Sequence, residues 1–233
     1  MNDTTLIIPA KYEPNSLPLV LNEIKNKRLK LKIIIILDKD DSDTLNAIKN
    51  YDCKIIYQSK KGYGNAIIDG LKNSETKYSC IFYADGSTDP KFLEPMKNKL
   101  ETKKLDFVFG SRYEGDGYSL DDDIITKIGN HSFTFLGNLF LRLNISDILY
   151  TYIFGKTDKF AEMNLSRNDY SLCIEIPLKT KKFKFKYDTL PCVERKRFND
   201  KKKVSAFSDG FKILRYFIFE YFKILLKKFK IFR

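Results

Sequence analysis

At 233 residues with 43% apolar content, the chain is long enough for one substantial core and gives no reason to expect several. Its net charge of +12 either follows from lysine abundance throughout or favours an anionic partner: nucleic acid, a phosphate-rich substrate or a membrane surface. Four scattered cysteines, with no Cys-x-x-Cys pair and His131 as the only histidine, argue against a zinc site. The opening "MNDTTLIIPA" lacks a basic stretch leading into a long apolar run, so no signal peptide is predicted. No apolar run reaches the roughly 18 residues of a confident membrane span.

The first half alternates between two periodicities. "TLIIP" is a short strand ended by Pro9, and "SLPLVLNEIKNK" has helical spacing. "LKIIIILD" is a β-rich run, and "DSDTLNAIKN" opens with capping residues and continues as a helix. "CKIIYQ", "YSCIFYAD" and "LDFVFGSR" read as further strands, with "GYGNAIIDGLKNS" and "DPKFLEPMKNKL" as the helices between them. Strands alternating with helices predict an α/β fold, a mostly parallel sheet with helices on both faces. Ligands of such sheets bind beyond the carboxyl ends of the strands. Those ends carry Pro9 to Glu13, Asp38, Asp85, and Ser111 with Arg112.

The second half is less regular. Residues 123–143 read as one long helix, with a break expected at Gly129 or Gly137 if anywhere. "SLCIEIPLKTKKFKFKYDTLPCVERKR" alternates apolar and polar residues and predicts strands. The chain closes on "SDGFKILRYFIFEYFKILLKKFKIFR", a helix with a basic stripe of Lys212, Arg215, Lys223, Lys227 and Lys230. Phe211, Leu214, Phe217, Ile218, Phe222, Leu225 and Phe229 fill most of the remainder, a pattern suited to a lipid interface or to packing on the domain. The expected organisation is a domain over 1–207 and a basic amphipathic helix over 208–233. No nucleic-acid motif is present, so a nucleic-acid partner is not expected.

Seven segments in order resemble glycosyltransferase family 2 enzymes of the GT-A fold, and within them the polyprenyl- or dolichyl-phosphate sugar transferases. "LIIPAKYEPNSLPLVLNEI" is similar to the opening strand and loop, and "IIIILDKDDSDT" to the second strand with its acidic end. "KKGYGNAIIDGL" resembles the Gly-x-Gly-x-Ala loop, "YADGSTDP" the Asp-x-Asp segment and "FVFGSRY" the Gly-Ser-Arg strand end. "SDILYTYIFGK" resembles the acceptor-side segment, and "LPCVERKR…KKKVSAFSDGFKIL" the terminal Glu-x-x-Arg stretch and its helix. Two departures stand out: Tyr83 falls where the first acid of Asp-x-Asp is usual, and Thr151 where a glycine is usual.

The resemblance implies an inverting, metal-dependent transfer of a hexose from a UDP- or GDP-linked donor to a polyprenyl or dolichyl phosphate. It implies a peripheral protein at the cytoplasmic face of a membrane, docked through the C-terminal helix. The alternatives are a glycan acceptor, or a degenerate nucleotide-sugar-binding protein. Asp85, with Ser87 beside it, is the expected ligand of Mg2+ or Mn2+, since hard cations take oxygen donors; a plain Asp-Gly-Ser turn is the other reading. Pro9, Glu13 and Asp38 are expected along the nucleobase and ribose pocket, whereas Asp40, Asp41 and Asp43 read as helix-capping acids. Gly62 and Gly64 either let backbone amides approach the donor or simply make a turn. Arg112, Arg197 and Lys202 are expected phosphate contacts, because a guanidinium or ammonium pairs with phosphate oxygens; the other readings are a surface ion pair of Arg112 with the acids at 114–123 and a solvated basic loop for Arg197 and Lys202. Asp147 is the expected acceptor-side catalytic acid alongside Arg112, with Glu175 as runner-up and an N-cap as the structural alternative. His131 reads as a helix-face residue.

Overall fold

The structure, a computed structural model, describes residues 1–199 and 206–231, with side chains of the last helix described from Ser208 to Leu226. Strands β1 (Thr4–Pro9), β2 (Lys32–Leu37), β3 (Lys54–Tyr57) and β4 (Tyr78–Ile81) alternate with helices α1 (Leu17–Asn26), α2 (Ser42–Ile48) and α3 (Tyr63–Lys72). Helix α4 (Leu93–Thr102) leads to β5 (Phe107–Ser111), the short β6 (Tyr118–Ser119) and α5 (Ile124–Leu141). Then come β7 (Ile153–Lys156), α6 (Thr157–Glu162), α7 (Leu172–Lys182), β8 (Tyr187–Pro191), β9 (Val193–Glu194) and α8 (Ala206–Ile231).

Seven strands form one sheet in the order β3-β2-β1-β4-β7-β5-β8, and β6 pairs with β9 in a small second ladder. β1 pairs in parallel with both β2 and β4, while β7 runs antiparallel between β4 and β5. The chain leaves β1 toward β2 on one side and returns to β4 on the other. The crevice beyond the carboxyl ends of β1 and β4 is therefore the topological switch point.

Alternate residues of β1 enter different cores. Ile7 packs with Ile36, Ile67 and Phe109 under α3 and α5, whereas Leu6 and Ile8 pack with Leu17, Val20 and Met96 under α1 and α4. Each such fully buried aliphatic side chain contributes about 1.5–3 kcal/mol. Buried on both faces, the central strands need the continuous apolar runs the sequence contains.

One expectation changes. Residues 172–182 form a helix rather than strands, despite alternating apolar residues and Pro177 within it. Seven consecutive residues, Leu172 to Leu178, are buried, so the helix is enclosed on all sides and its short alternation carries no facial signal. Residues 124–141 form one unbroken helix: Gly129 faces open space, and Gly137 lies close against Ile148. Among the described residues, the strands near the C-terminus are β8 and β9. The final helix turns Ile213, Tyr216 and Phe217 into the core while Phe211, Ile218 and Phe222 stay exposed.

Candidate active site

The turn after β4 organises the crevice. Asp85 Oδ1 accepts the Ser87 amide at 3.0 Å and the Ser87 hydroxyl at 2.7 Å, so the short acidic side chain folds the turn onto itself. Gly86 adopts φ +86°, and an added Cβ would come within 2.4 Å of the Phe198 ring. Residues 195–198 lie across this turn: the Arg195 amide donates to Ser87 O at 2.8 Å and the Phe198 amide to Asp85 O at 2.9 Å. Arg197 Nε donates to Asp85 Oδ2 at 2.9 Å, and its Nη2 lies 3.1 Å from Asp121 Oδ2. Burial opposes the guanidinium's charge, but Asp85 and Asp121 outweigh it and hold the Arg197 pKa up. Arg195 forks onto Glu23 at 3.0 and 2.8 Å and fastens the segment from behind.

Tyr83 turns the other way. Its hydroxyl accepts the Thr151 amide at 2.9 Å and lies 2.8 Å from Thr151 Oγ1, which also meets the Tyr63 hydroxyl at 2.6 Å. Burial raises the Tyr83 phenol above its ordinary range, so the group is a neutral hydroxyl at physiological pH.

Beside this turn lies a buried charge cluster. Arg112, at the end of β5, donates from Nε (2.7 Å), Nη2 (3.0 Å) and its own amide (3.1 Å) to Asp147. Its Nη1 donates to Glu194 at 3.0 Å and lies 3.6 Å from Asp122. Tyr150 underlies the guanidinium carbon at 4.7 Å. Burial opposes the charge of Arg112 too, but Asp147 and Glu194 overcome it and hold its pKa far up. Burial pushes the Glu194 carboxyl up against the pull of Arg112. Arg112 is 6% exposed and Asp147 1%. The guanidinium expected to face phosphate is committed to carboxylates instead, because three acids converge on it. No helix starts at Asp147, so it is not an N-cap.

The remaining expected residues spread along the strand ends. Glu13 follows β1, buried, its amide donating to Thr44 Oγ1 at 2.8 Å and its carboxylate accepting from the Ser16 hydroxyl. Asp38 follows β2 and accepts from Gln58 Nε2 at 3.3 Å. Pro9 is the last residue of β1. Asp41 caps α2 through the Thr44 amide, the role expected of that acidic run. Gly62 and Gly64 are required by the protein itself: a Cβ would come within 2.2 Å of Asn168 O and 2.1 Å of Arg167 O, so backbone fills the space a ligand was expected to use. Glu175 is remote from this cluster in role, accepting the amides of Ser166 and Arg167 and pairing with Lys179 at 2.8 Å. Lys202 lies outside the described residues. His131 stacks against Tyr113 with ring centres 4.3 Å apart, on the face of α5.

The ion pair that the sequence offered Arg112 with the acids at 114–123 is realised in part at Asp122; sequence reasoning missed the pairing of Asp121 with Arg197 and the separate tasks of Glu194 and Arg197. The signal was present in "VERKR". In an extended segment, residues three apart point to opposite sides, so Glu194 can reach Arg112 while Arg197 reaches Asp85.

A second surface flanks the site. On α5, Ile124, Ile128, Phe135 and Leu139 are all more than half exposed and share one side of the helix. On α8, Phe211, Ile218, Phe222 and Leu226 are exposed and share the side opposite the buried one. The two helices pack through Phe140 against Phe217 and Tyr221. Among the described residues, no helix is long and apolar enough to cross a membrane.

Residues 5–163 match the model of glycosyl transferase family 2. The chain is 30% identical over 143 residues to a dolichyl-phosphate beta-glucosyltransferase of Dictyostelium discoideum, a match covering 53% of this chain and 42% of that protein. It is 27% identical over 108 residues to an uncharacterised glycosyltransferase of Mycobacterium tuberculosis, covering 46% of this chain and 48% of that one. The chain thus spans about half the length of the curated relatives it matches. Among solved structures it is similar to glucosyl-3-phosphoglycerate synthase from Mycobacterium tuberculosis in complex with Mn2+, UDP-glucose and phosphoglyceric acid. That likeness has a TM-score of 0.71 at 12% identity, over 91% of this chain and 77% of that one. Mannosyl-3-phosphoglycerate synthase from Rubrobacter xylanophilus gives 0.68 at 15%, over 97% and 74%. At such identities these structures speak to the GT-A fold.

Proposed function

The chain belongs to glycosyl transferase family 2, and from that premise we propose that it moves a hexose, with inversion, from a UDP- or GDP-linked donor to a polyprenyl or dolichyl phosphate at the cytoplasmic face of a membrane. The observation that carries this reading is Asp85 with Arg197 at the switch point of the sheet, where an anionic donor meets a carboxylate and a guanidinium together. Pro9, Glu13 and Asp38 line the nucleoside side of the same crevice in this reading. Gly62 and Gly64 contribute by setting the loop before α3. Arg197 and Lys202 attend the diphosphate.

A Mg2+ or Mn2+ ion would be held by Asp85, with Ser87 beside it, and the carboxylate and hydroxyl suit a hard cation. Such an ion would take up charge developing on the leaving diphosphate. Support comes from the structural relative crystallised with Mn2+ and a nucleotide-sugar.

A lipid phosphate has a second pKa of about 6 and is largely ionised at neutral pH, so its attack needs little help from a base. Asp147, held on three sides by Arg112, is then a positioning group, and the pair fixes the wall between β5 and β7. A single displacement on one face of the sugar inverts the anomeric centre. The lipid half of the reading is supported by the dolichyl-phosphate relative and by the apolar stripes of α5 and α8 flanked by Lys212 and Lys223. Residues 208–233 act here as the membrane-facing helix of a domain over 1–207.

The test is a screen of UDP- and GDP-hexoses with Mn2+, following nucleotide release with and without a short polyprenyl phosphate. Release that depends on the lipid phosphate is expected. Release that depends instead on a glycan acceptor would replace the lipid half, and absence of release with every donor would leave a nucleotide-sugar-binding protein.

A further inference from the structure

Asp85 is one carboxylate with two claims on it. Its Oδ1 is occupied by the Ser87 amide and hydroxyl, which leaves Oδ2 as the open ligand, and there Arg197 Nε sits at 2.9 Å. The position two residues earlier adds no second charge, because the Tyr83 phenol is neutral and bonded to Thr151. A further acid, Asp121, is bridged by the same guanidinium. Arg197 Nη1 is buried and has no hydrogen-bond partner among the described residues, so one donor of this guanidinium is left over.

We propose that Arg197 and a divalent cation exclude each other at Asp85, and that cation entry frees the Arg197 guanidinium for an oxygen of the donor's diphosphate. A cation on Oδ2 would have to share the one oxygen left open by Ser87 with the guanidinium nitrogen already 2.9 Å from it, and like charges that close disfavour holding both. The exchange is a swing of one side chain. Backbone bonds from Arg195 to Ser87 O and from Phe198 to Asp85 O hold the segment, and the Phe198 ring lies against Gly86. The unpartnered Nη1 makes phosphate oxygens a natural destination, since a guanidinium pairs with them through two parallel N–H groups. The diphosphate half of this inference rests on the donor reading above; the competition at Asp85 does not.

The experiment measures Mn2+ binding to the full chain by electron paramagnetic resonance of the free ion, with no sugar or acceptor present. Arg197→Gln is expected to bind Mn2+ roughly tenfold tighter than the wild type, since a like charge in contact is removed. Arg197→Lys keeps the charge and is expected to stay near the wild type, and Asp85→Asn to lose the site. UDP is expected to tighten Mn2+ binding more in the wild type than in Arg197→Gln, because only the wild type has an arginine to draw away. Circular dichroism verifies folding, and Arg197→Met replaces the glutamine variant if that one unfolds. Equal Mn2+ affinity in wild type and the neutral variants, or retained affinity in Asp85→Asn, overturns the competition. Equal tightening by UDP overturns the diphosphate half. If wild type binds no UDP while the Mn2+ difference persists, the competition stands and the donor reading falls.

Discussion

The Tyr83 hydroxyl accepts the amide of Thr151 at 2.9 Å and lies 2.8 Å from its Oγ1. Two of the positions at which this chain departs from the resembled pattern are thus each other's partners. A phenol in place of a carboxylate reaches the start of β7, and a threonine in place of glycine receives it. Tyr63 completes the group from α3 and stacks on Tyr170 with ring centres 4.6 Å apart.

This pairing predicts coupled substitutions. Tyr83→Phe leaves the Thr151 amide without its acceptor and should cost about 1–3 kcal/mol. Thr151→Val removes the hydroxyl that both phenols share. Because the residues are in direct contact, the double variant should deviate from additivity by about 0.5 kcal/mol or more. Denaturant unfolding of the four proteins measures it, and strict additivity would show that the contact between the two hydroxyls contributes nothing. Tyr83→Asp, which restores an acid, breaks the same bonds and should be less stable than Tyr83→Phe.

Arg112 neutralises acids that the fold buries. Arg112→Met strands Asp147 and Glu194 without their counter-charge and should destabilise the protein by about 3–5 kcal/mol at neutral pH. Part of the loss should return as pH falls, because burial already pushes the Glu194 carboxyl up, and protonating it relieves a charge that has lost Arg112. Arg112→Lys should recover little, since an ammonium cannot serve Asp147 and Glu194 through separate planar N–H groups. Chemical denaturation between pH 4 and 7 reads all three. A variant as stable as the wild type at neutral pH would contradict this account.

Glu175 gives the opposite pH sign. Burial alone would raise its pKa, but Lys179 and the Ser166 and Arg167 amides outweigh burial and hold it below the usual glutamate range. Its stabilisation is therefore present above about pH 4.3, the unfolded value, and is lost as pH falls through the lower folded value. Glu175→Gln should cost about 2 kcal/mol at neutral pH. The gap between its melting curve and that of the wild type should close only in acid. A gap independent of pH would mean that charge has no part in it.

Vesicle binding separates the outer and inner sides of α8. Deleting the helix would expose the core around Ile213, Tyr216 and Phe217, so substitution is the sharper tool. Replacing Phe211, Phe222, Ile128 and Phe135 by serine should weaken co-sedimentation with anionic vesicles while thermal stability changes little. Salt should reduce wild-type binding, since surface charges are screened over about 8 Å at physiological ionic strength, and leave an apolar remainder. Undiminished vesicle binding in the substituted protein would remove membrane docking from the proposed function.

What the sequence determined by itself is the layered α/β frame. The β1, β2 and β4 runs are mostly apolar because both faces of the sheet are covered, and polar residues follow their carboxyl ends, where such sheets take ligands. Asp85 and its turn were legible for the same reason: a carboxylate, a glycine and a hydroxyl at a strand end are a local pattern. Local pattern failed at α7, whose residues are enclosed on every side and so show no face to read. Nor did it name the partners of Arg112, Arg197, Gly62 and Gly64. A guanidinium is satisfied by whichever acids arrive beside it, and Asp147 and Glu194 reach Arg112 from 35 and 82 residues away. A glycine likewise yields to whichever backbone presses on it, here residues 167–169. Those partners are chosen by packing between distant segments, which no spacing along the chain encodes, and only the tertiary structure could decide them.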